Sequence, residues 1–159
     1  MKSVRVTFEV NGRQVTVDSL PNRTLLGVLR EDLGLSGAKD ACGGEGECGA
    51  CTVIMNGRSV NSCMVLIGQV HGCAVETIEG ISKDGELHPI QRAFMEAGAV
   101  QCGYCTPGAI MATKAFLREN PNPSDEQIRE GLSGNLCRCT GYVKMIEAVH
   151  RAAEEMSRA

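Results

Sequence analysis

The chain of 159 residues contains nine cysteines, and eight of them form two groups of four, one in each half of the sequence. The first group has the spacing Cys-x5-Cys-x2-Cys-x11-Cys, and the second has the spacing Cys-x2-Cys-x31-Cys-x1-Cys. Thiolates at such short spacings are typical ligands of zinc or of an iron–sulfur cluster. The first group comprises Cys42, Cys48, Cys51 and Cys63, and the second comprises Cys102, Cys105, Cys137 and Cys139.

Disulfide bonds are the alternative use of so many cysteines, and the sequence argues against them. Nine thiols cannot all pair within one chain, and residues 1–7 lack the apolar region of an export signal. No apolar run approaches the roughly 20 residues of a membrane span. The 16 basic and 19 acidic residues give a net charge of −3, which indicates neither nucleic-acid nor anionic-membrane binding. These features predict a soluble, cytoplasmic protein whose thiolates hold metal.

Glycines around the first group favour an iron–sulfur cluster over zinc. Gly43, Gly44, Gly46 and Gly49 lie among its first three cysteines. A four-thiolate [2Fe–2S] centre is negatively charged, and a glycine-rich loop can direct backbone N–H groups at its sulfurs. Zinc ribbons usually have two Cys-x2-Cys knuckles, whereas this group has one. The spacing alone still leaves zinc open.

In the second group, each pair of cysteines is followed by a threonine at the start of a predicted helix. The segments are Cys105-Thr106-Pro107 and Cys139-Thr140-Gly141. Threonine is a good N-cap, and proline is preferred at the first helical position. Two helix N-termini would then face one metal centre, each stabilising its negative charge by about 0.3–1 kcal/mol. The matching ends predict an internal pseudo-twofold symmetry, in which two helix pairs each supply two ligands.

The elements that must position the first group are predicted from periodicity and turn residues. Alternating apolar residues on both sides of Asn11-Gly12 predict a β-hairpin. A helix over 24–33, a second hairpin around Asn56-Gly57 and a strand over 74–78 complete a small α+β domain. The second hairpin places Cys63 beside the glycine-rich loop, so the four thiols are expected to converge on one point. The predicted register of the first hairpin pairs Phe8 with Val15, Val6 with Val17 and Arg5 with Asp18.

After residue 80 the periodicity becomes helical. Pro89 and Pro107 mark two helix starts, and Ser124 to Gln127 form a capping box for a third helix. A fourth helix is predicted to begin near Tyr142. We therefore predict two domains, an α+β domain over 1–80 and a compact helical domain over 81–159.

Three longer motifs contain six of the cysteines: GECGACTV over 46–53, QCGYCTPG over 101–108 and GNLCRCTGY over 134–142. With these motifs in this order, the chain closely resembles the small iron–sulfur subunit of the molybdenum hydroxylases, the family of xanthine dehydrogenase, aldehyde oxidoreductase and nicotinate dehydrogenase. The resemblance covers essentially the whole chain. It implies a plant-ferredoxin-like β-grasp domain followed by an all-α four-helix bundle domain, each binding one [2Fe–2S] cluster.

The resemblance also implies where each group lies relative to the other cofactors. Cys102, Cys105, Cys137 and Cys139 would hold the proximal cluster, beside a molybdopterin cofactor that the partner chain owns. The first group would hold the distal cluster, on the side of the flavin subunit. Gln101 matches a glutamine that hydrogen-bonds the molybdenum cofactor, and Cys139 matches a ligand whose neighbourhood touches the pterin.

The function implied by the resemblance is electron transfer. The chain would have no catalytic residues of its own and would pass electrons from molybdopterin, through the two clusters, towards FAD. Its partners would be a large molybdopterin-binding subunit together with a medium FAD-binding subunit, in a dimer of heterotrimers. The loop over 45–48 resembles that of dehydrogenases of purines and other N-heterocycles, which implies a holoenzyme that hydroxylates such a compound, while aldehydes, carbon monoxide and aromatic acyl-CoA thioesters stay open as substrates. Other hypotheses are a zinc-stabilised structural module and a freestanding ferredoxin.

The chain departs from the family pattern at one point. The family usually has four residues between the first two cysteines, preceded by glycine, whereas here there are five, preceded by Ala41. The extra residue, Gly43 or Gly44, could bulge outward without moving the ligand. Cys73 belongs to neither group and is predicted to be a buried free thiol.

Overall fold

The computed structural model describes residues 2–158, and the first half of this part contains a mixed sheet of five strands. The strands are β1 (Val4–Val10), β2 (Arg13–Ser19), β3 (Thr52–Met55), β4 (Arg58–Asn61) and β5 (Ala74–Glu76). Their order across the sheet is β2-β1-β5-β3-β4. β1 and β5 are parallel at the centre of the sheet, and the other neighbours are antiparallel. This half also contains a short helix, α1 (Leu25–Gly27), and three single-turn 3-10 helices, Ser62–Met64, Ile67–Val70 and Ile78–Gly80.

The second half of the described chain contains four helices, which confirms the predicted α+β fold with a helical bundle. They are α2 (Pro89–Glu96), α3 (Thr106–Glu119), α4 (Asp125–Gly131) and α5 (Val143–Ser157). α2 packs mainly on α5, and α3 packs on strand β3 as well as on its neighbouring helices. No helix within residues 2–158 has the length and apolar character needed to cross a membrane.

Both predicted hairpins are confirmed. Asn11 and Gly12 have φ values of 51° and 77°, and Asn56 and Gly57 have φ values of 49° and 81°. Two successive residues with positive φ form the type I′ turn, whose twist matches that of the strands it joins. The register is the predicted one, with Phe8 opposite Val15, Val6 opposite Val17 and Arg5 opposite Asp18.

The predicted helix over 24–33 is present, but it changes from an α-helical turn to a π-helical segment. The Thr24 hydroxyl accepts the Gly27 N–H at 3.2 Å and so caps helix α1 (Leu25–Gly27). The chain continues as one π-helical segment over Val28–Asp32, which closes with the Leu33 N–H bonded to the Val28 carbonyl at 3.1 Å. Gly34, with a φ of 68°, then ends the helix as expected.

The buried apolar side chains of residues 2–158 form two cores, one on each side of the sheet's β3 strand. The first core packs Phe8 and Val53 of the sheet against Leu25 and Leu29. The second core lies among the helices but also includes Ile54 of β3. Because neighbouring residues of a strand point to opposite faces, β3 contributes side chains to both cores. The sheet and the helices therefore share a packed interface, and the predicted domain boundary after residue 80 stays a prediction.

The starts of the helices match the sequence only in part. Pro89 begins α2, and the Ser124–Gln127 capping box is formed at α4. The predicted threonine N-caps are wrong: α3 begins at Thr106 itself after Cys105, and α5 begins at Val143 after Tyr142. The two helix starts therefore differ, because a turn separates Cys139 from α5 whereas α3 follows Cys105 directly.

His88 is the N-cap of α2, and this position ties the stability of the helix to pH. Its Nδ1 atom accepts the Ile90 N–H at 3.3 Å. Burial lowers the pKa of the half-buried His88 ring, and the nearby Lys114 lowers it further. A protonated imidazole has no acceptor atom, so protonation removes the cap. The other charged groups that act on the ring are Glu76, Glu155 and Lys83.

We expect the free energy of unfolding to decrease between about pH 7.5 and 5.5. Because the pKa of folded His88 lies below the value of about 6.5 in an unfolded chain, the unfolded state binds more protons below that pH and is favoured there. The substitution His88→Asn keeps an N-cap that does not titrate, and it should weaken this pH dependence. Denaturant titrations followed by circular dichroism at both pH values measure the difference. An identical pH dependence in the two proteins would contradict the prediction.

Candidate iron–sulfur centres

The first group of cysteines is assembled by the loop over 42–51 and the turn that follows β4. Cys48 and Cys51 flank the Gly49-Ala50 segment, and Cys63 lies in the 3-10 helix after β4. The Cys42 side chain contacts that of Cys48, and the Cys63 side chain contacts that of Cys51. Three of the four residues are buried, and Cys42 is half-buried. The second hairpin therefore returns Cys63 to the loop, as the sequence predicts.

Backbone N–H groups of the glycine-rich loop surround the Cys42 sulfur. Hydrogen bonds from the N–H groups of Cys48 and Glu47, with a smaller contribution from Glu45, lower the pKa of Cys42 to about 6. Burial has the opposite effect on Cys63 and raises its pKa to about 12, although the Gly46 N–H donates to its sulfur. The loop thus supplies the donors that a negatively charged thiolate centre requires.

The additional residue of this loop lies in a turn that faces open space. Gly43 and Gly44 have φ values of 74° and 84°, and a Cβ atom added at either position would meet nothing within 4 Å. The Asp40 carboxylate accepts the N–H groups of Gly43 at 2.8 Å and of Gly44 at 3.1 Å. The exposed Asp40 carboxylate therefore closes this turn, and the space around Gly43 and Gly44 is compatible with the expected outward bulge.

The second group is assembled by two loops of the helical half. Cys102 and Cys105 precede α3, and Cys137 and Cys139 lie between α4 and α5. The Sγ atoms of Cys139 and Cys102 are 3.5 Å apart, and the Cys105 side chain contacts that of Cys137. Cys102 and Cys139 are exposed, whereas the other pair is half-buried.

The pKa values of the inner pair are shifted in opposite directions. Burial, with the neighbouring Cys137 sulfur, raises the pKa of Cys105 to about 12. Burial also acts against ionisation of Cys137, but hydrogen bonds from the Thr140 hydroxyl, the Thr140 N–H and the Cys139 N–H outweigh it and lower its pKa to about 7. One sulfur of the pair is therefore prepared to carry negative charge before any metal binds.

In both groups the sulfurs contact one another as two pairs, and the convergence of all four thiols of the first group on one point stays a prediction. No three His, Cys, Asp or Glu side chains in the part of the chain described surround a position for a single metal ion. A tetrahedral zinc site needs four ligands around one ion, whereas a [2Fe–2S] cluster takes two ligands on each of two irons. The paired arrangement fits the binuclear cluster.

Hydrogen bonds join the loop before Cys137 to the loop that carries the first group. The Asn135 side chain donates to the Gly49 carbonyl at 2.9 Å and contacts Thr52 Oγ1 at 3.2 Å. The Leu136 N–H donates to the Cys48 carbonyl at 2.9 Å. The backbone that precedes Cys137 is thus bonded directly to the backbone between Cys48 and Thr52. Sequence reasoning missed this role of Asn135, although its place two residues before a candidate ligand is a usable signal.

Gln101, Cys73 and Tyr104 lie outside the eight thiols, and they differ in exposure and in contacts. Gln101 is exposed, next to the exposed pair of the second group. Cys73 is half-buried rather than buried, and its Sγ atom lies 3.6 Å from the Gln69 carbonyl oxygen. The Tyr104 hydroxyl donates to the Asp40 carbonyl at 2.5 Å and links the second group's loop to the bulged loop of the first.

Comparison with known proteins gives matches over nearly the whole chain. Residues 8–88 match the family described as a 2Fe-2S iron-sulfur cluster binding domain, and residues 77–150 match a [2Fe-2S] binding domain. The nicotinate dehydrogenase small FeS subunit of Eubacterium barkeri is 50% identical over 97% of this chain and 98% of its own length. The nicotine 6-hydroxylase small subunit of Paenarthrobacter nicotinovorans is 47% identical over 92% of this chain and 87% of its own length. A chain of the quinoline 2-oxidoreductase of Pseudomonas putida 86 has a TM-score of 0.95 and 39% identity, with 100% of this chain and 99% of that chain covered.

Proposed function

The chain belongs to the family of small [2Fe–2S] subunits of the molybdenum hydroxylases, and from this membership we propose that it carries electrons between two partner subunits. When bound, each [2Fe–2S] cluster supplies a one-electron carrier. The route would lead from a molybdopterin cofactor on a large subunit, through the second group and then the first, to FAD on a medium subunit. The observation that carries the proposal is the presence of two sets of paired thiols on loops that are hydrogen-bonded to each other.

The proposed ligands are the cysteines of the two groups. Cys42 with Cys48, and Cys51 with Cys63, would each hold one iron of the distal cluster. In the proximal cluster, the matching pairs are Cys102 with Cys139 and Cys105 with Cys137.

The residues of the chain hold the two groups of thiols in place, stabilise the negative charge on their sulfurs and keep water away from them. Cys48, Cys51 and Cys63 are each at most 8% exposed, so solvent has little access to three sulfurs of the first group. Burial reduces the reorganisation of water around a site whose charge changes. The hydrogen bonds from Asn135 and Leu136 hold the two loops at a fixed separation, which electron transfer between them requires.

The exposed part of the second group is proposed to face the molybdopterin subunit. Cys102, Cys139 and Gln101 are exposed together on this side. The Gln101 amide can donate and accept hydrogen bonds, which suits contact with a polar cofactor on a partner. We propose that the holoenzyme is a dimer of heterotrimers in the cytoplasm, where cysteines stay reduced and available as ligands.

For the substrate of the holoenzyme we propose an N-heterocycle. The relatives described above are named for nicotinate, nicotine and quinoline, and each of these compounds contains an aromatic ring with a nitrogen atom. The pocket that selects the substrate would lie on the large subunit. A panel of N-heterocycles and aldehydes, assayed with the native complex, tests this part of the proposal, and a clear preference for aldehydes would contradict it.

The electron-transfer function is tested by purifying the native complex and analysing its metals. We expect about four irons per copy of this chain, no stoichiometric zinc, and two rhombic EPR signals on reduction with dithionite. The large molybdopterin-binding subunit and the medium FAD-binding subunit should co-purify with the chain. A colourless protein that carries zinc would refute the iron assignment, and a chain that purifies alone with both clusters would favour a freestanding ferredoxin.

A further inference from the structure

The Thr140 hydroxyl is aimed at the sulfur of Cys137. Its Oγ1 atom lies 3.1 Å from Cys137 Sγ, and the Thr140 N–H donates to the same sulfur at 3.4 Å. The Tyr142 N–H donates to Thr140 Oγ1 at 3.3 Å. Because a hydroxyl has one proton and its oxygen already accepts the Tyr142 N–H, its own proton is free to point at the sulfur. Two donors from one residue thus converge on Cys137.

The turn over 137–142 holds Thr140 in this place. Tyr142 has a φ of 68°, which is uncommon for a residue with a side chain. The Tyr142 hydroxyl accepts the Cys137 N–H at 2.9 Å. Tyr142 therefore bonds to both ends of the turn: its hydroxyl accepts the Cys137 N–H, and its backbone N–H donates to Thr140 Oγ1. These two bonds restrict the movement of the Thr140 hydroxyl away from the sulfur.

Thr106 has the same place in sequence relative to Cys105 but not the same contacts. It is the first residue of α3, and its N–H bonds to the Gly103 carbonyl at 3.3 Å. Both threonines are half-buried. Among the hydrogen bonds of residues 2–158, a threonine hydroxyl is directed at a cysteine sulfur at Thr140 and not at Thr106. The chain thus contains a matched control for the effect of Thr140.

We propose that Thr140 raises the reduction potential of the proximal cluster. This inference rests on the proposed function, since it requires a [2Fe–2S] cluster on the second group. One-electron reduction adds one negative charge and transfers no proton, and hydrogen bonds to a ligand sulfur stabilise the more negative state. The two bonds from Thr140 would therefore make the electron easier to accept from the molybdopterin side. Thr140 is a positioning residue that acts through Cys137.

The test is an EPR-monitored redox titration of the native complex, with dithionite as the one-electron reductant. We expect Thr140→Val to make reduction of the proximal cluster about tenfold less favourable, which is a fall of about 59 mV for one electron. Thr140→Ser keeps the hydroxyl and should keep the wild-type potential. Thr106→Val should leave the potential unchanged, and the distal cluster serves as an internal reference in each titration.

Several outcomes would overturn the inference. An unchanged proximal potential in Thr140→Val, with the EPR signal intact, would remove the role of Thr140. An equal fall in Thr106→Val would show that any polar side chain near the site has this effect. Loss of iron from both Thr140→Val and Thr140→Ala would make Thr140 a requirement for building the site, not a determinant of its potential. Failure of the proposed function looks different, because the wild-type complex itself would then lack the proximal EPR signal.

Discussion

Replacement of Cys105 with alanine is expected to remove about half of the iron and one of the two EPR signals. The Cys105 side chain contacts Cys137 and belongs to the inner, half-buried pair of the second group. Without it, one iron of the proximal cluster would lose one of its two thiolates, and a cluster with an incomplete set of four ligands is not retained. The first group lies on a separate loop and would keep its own cluster.

Iron per chain and the EPR spectrum of the reduced complex measure this result. Cys73→Ala is the control, because Cys73 belongs to neither group and should keep the full iron content. Transfer of electrons from substrate to an acceptor that reacts at FAD should be abolished in Cys105→Ala, since the route would lack its first carrier. Retention of all the iron in Cys105→Ala would refute the assignment of Cys105 as a ligand. An equal loss of iron in Cys73→Ala would show that the loss is not specific to the second group.

The substitution Gly108→Ala is expected to destabilise the chain and to disturb the distal cluster, although Gly108 lies in the other half of the sequence. A glycine inside a helix is normally less stable than alanine by about 0.5–1 kcal/mol. Gly108 is inside α3, but a Cβ atom there would overlap the Gly49 carbonyl oxygen and lie 3.2 Å from Ala50 Cα. Those atoms belong to the backbone between Cys48 and Cys51, so the loop of the first group would have to move.

Overpacking of this kind costs about 1–3 kcal/mol, so we expect the thermal midpoint of Gly108→Ala to fall by roughly 5 °C. The EPR signal of the distal cluster should broaden or disappear, while that of the proximal cluster is retained. Gly68→Ala is the control, because an added Cβ at Gly68 meets nothing within 4 Å. A midpoint equal to or above that of the wild type would show that α3 does not press on the loop of the first group.

Some parts of the site were predictable because their causes are local. Asn-Gly at 11–12 and 56–57 determines two type I′ turns, and the second turn fixes the register that returns Cys63 to its loop. Pro89 and the Ser124 capping box likewise act within one turn of helix. The glycine-rich loop around Cys42 also behaves as its composition predicts, because glycine adopts positive φ at low cost and leaves the backbone N–H groups free to turn towards sulfur.

Other parts depend on which segments meet in space. Thr106 and Thr140 both follow a cysteine, and both were predicted to cap helices, yet only the turn closed by Tyr142 places a threonine hydroxyl on a sulfur. The pairing of the thiols is also absent from the spacing, since Cys102 pairs with Cys139 and not with its sequence neighbour Cys105. Short-range rules carry no information on such pairings.

The candidate ligand residues, the turns and the family could be inferred from the sequence alone, because thiol chemistry and glycine or proline conformations act over a few residues. The tertiary structure decided how the two groups are joined and how they differ. The bond between Asn135 and Gly49 links residues 86 positions apart, and α3, which packs on β3, also joins the two halves. Contacts across such separations follow from the packing of whole elements, which local propensity does not encode.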